Sequence, residues 1–214
     1  TGKKILATGN GKCNLTNQAI RRGCIPSGVY RSGQEAFPLH VLENFDAGDT
    51  LAFFESMGLY TKARDGYVYP MSEQAASVRD ILCWKLAEQK ADVVTGQEVK
   101  AIRVGGKGLL KGGFTVYSAD NVYQCRKLIM ACGGASASKL GSNGSGYRLA
   151  ESLGHHVSAP VPALCALHCK EKYFKELAGI RLQGRVRLFA GSKMAAEDSG
   201  EIQLTAYGIS GIPV

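Results

Sequence analysis

Residues 5–17 read ILATGNGKCNLTN, and the fold and the ligand of this chain are inferred outward from this stretch. An apolar run ends at Ala7, and glycines, amides and one cysteine follow from Thr8 to Asn17. Such a segment cannot bury itself, because its amides need hydrogen-bond partners and its glycines lose much backbone entropy on folding. The stretch is therefore expected to wrap a polar ligand, and successive backbone N–H groups in such a loop favour an anion.

Two further glycine-rich segments point the same way. LIMACGG at 128–134 is a continuous apolar run that stops at two glycines, which is typical of a fully buried parallel strand whose carboxyl end meets a ligand. GSNGSGYRLA at 141–150 is a glycine turn that opens a helix at about 144–153, and it fits neither GxGxxG nor the P-loop. Each segment alone could be an ordinary loop. Three of them in one α/β chain indicate a ligand site.

The rest of the chain mixes helices and strands. Helices are predicted at 38–45, at 49–57 with Asp49 as N-cap and Gly58 after its end, and at 72–90 from Ser72. Asp65-Gly66 predicts a hairpin turn, and later strands are predicted at 92–96, 98–104, 114–119 and 121–127. Prolines 160 and 162 mark a linker before a glycine-punctuated, strand-rich part. The predicted domains are 1–159 and 160–214.

Composition excludes several classes of protein. Hydrophobic residues make up 45% of the chain, yet no apolar run approaches the roughly 18 residues that span a bilayer. No signal-like leader opens the sequence, so a cytoplasmic protein without a membrane partner is expected. Seven irregularly spaced cysteines predict reduced, mostly buried thiols. The cluster Cys165, His168 and Cys169 lacks the second ligand pair that zinc requires, so no metal is predicted.

Charge and catalytic motifs narrow the function further. The net charge is +8, but the basic residues are dispersed, which favours a solvated basic surface over a nucleic-acid interface. GxSxG, HExxH and spaced carboxylate pairs are all absent, and His155 and His156 lie just past a helix end. No catalytic residue is therefore predicted, and a cofactor would have to supply any difficult chemistry.

The residues resemble a known family. KKILATGNGKCNLTN, YVYPMSEQAASVRDIL, LIMACGGASASKLGSNGSGYRLAESLGH, PVPALCAL and LTAYGISGIPV occur in an order that resembles the NAD(P)/FAD-dependent oxidoreductases of the aminoacetone oxidase/YhiN-like (HI0933-like) bacterial flavoproteins. The resemblance covers essentially the whole chain. It implies an α/β fold: a partial FAD-binding, Rossmann-like domain of the two-dinucleotide type, followed by the start of a β-rich insert domain.

The resemblance also implies cofactor contacts. The opening segment would wrap the flavin and pyrophosphate side of FAD, Val99 would lie on the strand that meets the adenine, and the remaining segments would close over the cofactor. The site residues implied in this way are Gly9, Gly11, Cys13, Asn14, Thr16, Val99, Ala131, Gly133, Gly134, Gly144, Gly146 and Tyr147. The family's strand end usually reads ATGG, whereas this chain has Cys132 in the threonine position, and the role of the backbone survives that change. A packed thiol is favoured for Cys13 over one beside the flavin ring.

Against the family pattern, the chain begins after the family's GxGxxG strand and stops before the FAD domain returns from its insert. The resemblance therefore implies an internal fragment that binds FAD weakly or not at all by itself, is inactive alone, and self-associates through its cut edges. The parent protein would be a flavoenzyme that passes hydride between NAD(P)H, FAD and a small organic acceptor. Reduction of an activated carbon–carbon double bond is one such reaction, because some members of the family are linked to bile-acid reduction. The alternatives are a nucleic-acid-binding or RNA-modifying flavoprotein, and a non-catalytic fragment with an incomplete cofactor site.

Overall fold

The computed structural model describes residues 1–25, 34, 36–105, 111–162, 165–211 and 213–214. Its contacts divide the chain into two units, Thr1–His155 and His156–Val214, so the division falls a few residues before the predicted boundary. Residues 106–110, in a glycine-rich stretch, and residues 163–164, in PVPALCAL, lie outside the described residues. The assignment of the two parts to an FAD domain and an insert domain stays a prediction.

The first unit holds five helices in the described residues and two small sheets. The helices are α1 (Lys3–Ala7), α2 (Ala36–Asn44), α3 (Ala47–Ser56), α4 (Ala75–Glu88) and α5 (Ser145–Ser152). One sheet has the strand order β1-β3-β2, formed by β1 (Thr16–Asn17), β2 (Thr61–Arg64) and β3 (Tyr67–Pro70). The other has the order β4-β5-β6, formed by β4 (Val99–Val104), β5 (Phe114–Ser118) and β6 (Val122–Cys125). Both sheets are antiparallel throughout.

The predicted hairpin turn at Asp65-Gly66 is confirmed. Strands β2 and β3 pair from Thr61 with Pro70 to Arg64 with Tyr67, which leaves two residues in the turn. Both turn residues have positive φ, 52° at Asp65 and 82° at Gly66, as a type I′ turn requires. Asn, Asp and Gly tolerate a positive φ, so the dipeptide Asp65-Gly66 was sufficient to predict the position of the hairpin.

Two helix starts differ from their predictions. The N-cap of α3 is Asp46 rather than Asp49; Asp46 accepts from the Asp49 N–H at 3.0 Å, and the Asp49 carboxylate accepts from the Asp46 N–H at 3.0 Å. Asp49 is thus the third-position partner of a capping box. Helix α4 begins at Ala75 instead of Ser72, because Glu73 adopts a left-handed conformation with φ of 53°. Gly58, with φ of 84°, follows the end of α3 as predicted.

Two apolar clusters form the core of the first unit. In the first, Cys13, Leu59, Ala75 and Val78 are buried, so the opening segment packs against α4 and the end of α3. In the second, Ile102 and Val116 of the β4-β5-β6 sheet pack on Leu149 of α5, with Leu128 and Met130 against them. The second cluster brings the sheet, the LIMACGG segment and α5 together.

Two predicted strands are absent from the structure. Residues 92–96 and 128–132 have no strand assignment, and no strand of the described residues pairs with them. A strand needs a neighbour for its N–H and C=O groups, which periodicity alone cannot supply. Along 128–130 the side chains still alternate: Leu128 and Met130 pack inward, whereas Ile129 is 90% exposed. The prediction of a fully buried parallel strand is therefore wrong for this structure.

The second unit is built on a four-stranded antiparallel sheet of order β7-β10-β9-β8. Its strands are β7 (Leu167–His168), β8 (Arg181–Ala190), β9 (Lys193–Thr205) and β10 (Gly208–Gly211), with a 3₁₀ turn at Lys172–Lys175. The long β8–β9 hairpin carries cross-strand ion pairs: Arg181 with Glu201 at 3.2 Å, and Arg185 and Arg187 with Glu197, the former at 3.5 Å. The hairpin's positive charge is thus largely matched within the sheet.

Three further expectations can be compared with the structure. All seven cysteines are free, but Cys13 alone is buried, so the expectation of mostly buried thiols is wrong. In the part of the chain that the structure describes, no group of three or more His, Cys, Asp or Glu side chains is arranged to hold a metal ion. None of the helices among those same residues has both the length and the apolar character needed to cross a membrane.

Candidate cofactor-binding site

The opening glycine segment folds back on itself immediately after α1. Thr8–Gly11 forms a 3₁₀ turn, the Thr8 hydroxyl donates to the Ile5 carbonyl at 2.7 Å, and the Cys13 N–H donates to the Thr8 carbonyl at 3.1 Å. Gly9 has a φ of 53°, and a Cβ there would lie 2.7 Å from the backbone nitrogen of Asn14. Glycine is therefore required at position 9 both by conformation and by space. Gly11, in contrast, is open, because a Cβ there would meet only the Leu6 carbonyl oxygen, at 4.0 Å.

Cys13 joins this turn to the core. Its φ is 58°, which is unusual for a residue with a side chain, and its thiol packs against Leu59, Ala75 and Val78 with 8% of the residue exposed. The packing places the thiol inside the protein, so Cys13 has only its backbone to offer a ligand. Asn14 is exposed, and Thr16 begins β1, where it pairs with Val68.

An ion-pair cluster fixes the outer side of the opening segment. The Glu73 carboxylate lies 3.1 Å from the Lys12 ammonium and 2.7 Å from that of Lys62. Hydrogen bonds from Lys62 and then Lys12 lower the pKa of Glu73 to about 2. Lys12, the cation inside the glycine-rich motif, is therefore directed to the residues between β3 and α4.

The second and third glycine segments pack directly on each other. The Gly144 N–H donates to the Gly134 carbonyl at 3.1 Å, which closes residues 134–144 into a loop at the start of α5. A Cβ at Gly134 would lie 2.8 Å from the Tyr147 hydroxyl, and one at Gly146 would lie 2.8 Å from the Cys132 Cβ. The glycines thus permit contact between the two segments, and this accounts for their position in the sequence.

Ala131, Gly133 and Val99 complete the predicted set. Ala131 and Gly133 are exposed at the end of the extended 128–132 segment, and Gly133 has a φ of 71°. Val99 begins β4, pairs with Ser118, and packs against the cluster that also contains Leu149. It therefore shares a core with the two glycine segments, although it lies on an antiparallel strand.

Lys4, in α1 directly before the opening segment, contacts the 134–144 loop that joins the second and third segments. Its ammonium donates to the Ser142 hydroxyl at 2.8 Å and to the Ser136 hydroxyl at 3.2 Å, so it reaches from α1 to the 134–144 loop. Ser142 is 4% exposed, and its Oγ lies 3.3 Å from where a Cβ on Gly133 would be. Lys4, Ser136 and Ser142 were not predicted as site residues, because one of two adjacent lysines and two serines in a loop carry no spacing signal.

These residues fit a phosphate-bearing cofactor in their donor chemistry. Lys4 forms no ion pair with a carboxylate among the described residues, so its positive charge is not neutralised within that part of the chain. Gly11 leaves its backbone open, and α5 begins directly after Gly144, which adds the partial positive charge of a helix N-terminus near the same loop. The group that would suit these donors is an anion such as a phosphate.

Residues 1–211 match the family model described as HI0933-like protein Rossmann domain. The chain is 47% identical, over 213 residues, to a 3-dehydro-bile acid delta(4,6)-reductase of Clostridium scindens, covering 100% of this chain and 50% of that protein.

Two more distant relatives carry a different name. A ribosomal RNA dihydrouridine synthase of Haemophilus influenzae is 26% identical over 214 residues, covering 98% of this chain and 50% of the relative. That of Escherichia coli is 26% identical over 156 residues, covering 73% and 36% respectively. The chain spans about half the length, or less, of these relatives. The family match extends over nearly every residue, including all three glycine segments, and the chain belongs to the HI0933-like Rossmann-domain family of α/β proteins.

Proposed function

We propose that this chain is part of a flavoprotein oxidoreductase that binds FAD and transfers hydride from NAD(P)H to a small organic acceptor. One observation carries the proposal: the Lys4 ammonium joins α1, directly before the opening glycine segment, to the 134–144 loop, in a chain 47% identical along its full length to a reductase. A glycine-rich loop that offers backbone N–H groups, together with the unneutralised Lys4 ammonium, would suit the phosphates of a dinucleotide cofactor.

The acceptor that we propose is a carbon–carbon double bond conjugated to a carbonyl group. This follows from the name of the reductase relative, which specifies a 3-dehydro-bile acid and its delta(4,6) positions. Bound FAD, once reduced by NAD(P)H, would supply the hydride for such a saturation. A proton from solvent or an acidic side chain completes the new C–H bond on the neighbouring carbon, and NAD(P)H is released as NAD(P)⁺.

In this proposal the residues of the chain bind and orient rather than react. Gly11 and Asn14 would offer exposed backbone and amide groups to the cofactor, and Gly133, Gly134, Gly144 and Tyr147 would shape a second loop of its site. The Cys13 thiol is packed into the core, which argues against a reactive role. Binding geometry, and not a nucleophile, is the contribution of this part of the protein.

The visible absorbance spectrum of the purified protein tests the proposal. The protein that contains this chain should retain oxidised flavin after gel filtration, NAD(P)H should bleach the flavin band under anaerobic conditions, and a 3-keto steroid with conjugated double bonds should restore it. A protein that takes up no flavin when FAD is added would contradict the flavoprotein function. Bleaching without reoxidation by the steroid would contradict the acceptor alone.

RNA modification is a second candidate, because two relatives at 26% identity are ribosomal RNA dihydrouridine synthases. The net charge of +8 is compatible with RNA. The arginines of the β8–β9 hairpin, however, are paired with Glu197 and Glu201, so these carboxylates would compete with RNA phosphates for them. Binding of ribosomal RNA that weakens steeply with added salt would favour this candidate over the reductase.

A further inference from the structure

Lys4 lies at the junction of two segments that are far apart in sequence. The lysine belongs to α1, and its two hydroxyl partners, Ser136 and Ser142, belong to the loop that Gly134 and Gly144 close. Helix α1 itself is anchored next to the first core cluster, where Ile5 packs. The backbone of Lys4 is therefore held next to the first core cluster, whereas its ammonium group is bound to a separate loop.

The loop that receives Lys4 has few other supports. Residues 134–144 make local hydrogen bonds, such as Ser142 N–H to the Ala137 carbonyl at 3.1 Å and Leu140 N–H to the same carbonyl at 2.9 Å. Most of the loop is exposed, and Ser142 is its buried exception. A charge-assisted hydrogen bond to a buried hydroxyl is stronger than one between neutral groups, so removal of Lys4 should release the loop from α1.

We propose that Lys4 is the positioning residue that holds the 134–144 loop in register with the opening glycine segment for binding of the flavin cofactor. This inference rests on the function proposed above. Lys4 acts through Ser136 and Ser142. A lysine bound to two hydroxyls orients their protons away from itself, because the oxygen lone pairs accept from the ammonium. Both serine O–H groups then remain as donors on the loop.

The substitution Lys4→Met tests this role, since it keeps most of the length of the side chain and removes the charge and the donors. Amide hydrogen exchange should accelerate in residues 134–144, and the flavin should bind about tenfold more weakly, as expected for the loss of a charged hydrogen bond. Lys4→Arg should restore both properties in large part. Lys3→Met is the matched control, because Lys3 is an exposed lysine on the same helix.

Two further measurements separate positioning from general stability. The melting temperature of Lys4→Met should stay close to that of Lys3→Met, while the visible circular dichroism of bound flavin changes in Lys4→Met alone. Ser142→Ala should weaken flavin binding by a similar factor, and combining it with Lys4→Met should add little, since both changes remove the same contact.

Failure of the positioning role can be distinguished from failure of the proposed function. If the unmodified protein binds no flavin, the proposed function fails, and unchanged exchange in Lys4→Met would refute the positioning role as well. If the unmodified protein binds flavin and Lys4→Met binds it equally well, or its exchange equals that of Lys3→Met, the positioning role is refuted and the proposed function stands.

Discussion

At the scale of single residues, the glycines of the candidate site are needed for different reasons. Gly9 combines a positive φ with the Asn14 backbone nitrogen at 2.7 Å from a Cβ position, whereas Gly11 has a positive φ and open space. At Gly146 the obstacle is the Cys132 side chain, 2.8 Å from a Cβ position. The sequence shows the same letter at each position, so the reason for each glycine becomes visible only when its neighbours are known.

The difference can be measured with two alanine substitutions. Gly96→Ala meets no atom within 4 Å and should cost about 1 kcal/mol, the usual penalty of a left-handed conformation. Gly9→Ala should cost roughly 2–3 kcal/mol, because a backbone nitrogen cannot move aside as a flexible side chain can. Urea denaturation followed by circular dichroism gives both free energies of unfolding. Equal costs at the two positions would show that the close contact at Gly9 is relieved without strain.

At the scale of elements, the Glu73 carboxylate links the start of α4 to β2 and to the opening segment. Glu73 precedes the helix and binds Lys62 of β2 and Lys12 of the opening segment. Its pKa is lowered from 4.5 to about 2, mainly by the hydrogen bond from Lys62. A carboxyl group with a lowered pKa contributes stability that is present above pH 4.5 and is lost as the pH falls toward 2.

Glu73→Gln should therefore flatten the loss of stability between about pH 4.5 and pH 2, where protonation of Glu73 otherwise weakens the fold. At neutral pH the variant should be less stable than the unmodified protein, since the amide keeps no charge for the two lysines. Thermal melts across this pH range measure the effect. Glu88→Gln, which removes the exposed helical pair with Lys85, is the control. Parallel pH profiles for the unmodified protein and Glu73→Gln would contradict the assignment.

The elements also show how far the sequence alone could predict this protein. Local signals predicted the Asp65-Gly66 turn, the strands at 98–104 and 114–119, and the α5 helix, because each depends on residues near in sequence. The strand predicted at 128–132 depends on a partner strand elsewhere, and the structure provides none among its described residues. The glycine segments of the candidate site were recognisable from their composition, but the Lys4 contacts join residues 132 and 138 positions apart and carry no local signal.

At the scale of the whole molecule, large apolar side chains remain exposed in residues 92–96 and 128–132, the two segments of the first unit that were predicted as strands and have no strand partner among the described residues. Ile129 is 90% exposed, Val94 is 58% exposed and Val93 is 50% exposed. Apolar surface of this kind favours association when several such side chains lie together. We expect these exposed side chains to promote self-association of the chain.

Light scattering over a range of protein concentrations measures this association. Ile129→Ser should shift the chain toward monomer, because it removes the most exposed of these side chains. Val122→Ser, a change at a 60% exposed position on the regular strand β6, should have a smaller effect. A monodisperse monomer for the unmodified chain at all concentrations would contradict the prediction.

The contact between Gly134 and Tyr147 has a consequence for how this sequence can change over time. Gly134 has an ordinary φ, and the phenolic oxygen of Tyr147, 2.8 Å from a Cβ position, is the atom that excludes a methyl group; the ring carbon behind it is 3.9 Å away. Gly134→Ala should therefore lower the melting temperature in the unmodified protein and leave it unchanged or higher in a Tyr147→Phe background. An equal effect in both backgrounds would contradict this. The order of substitutions at these two positions is therefore constrained: Tyr147 must lose its hydroxyl before Gly134 can be replaced by alanine. Descendants of this sequence that carry alanine at 134 should carry phenylalanine at 147.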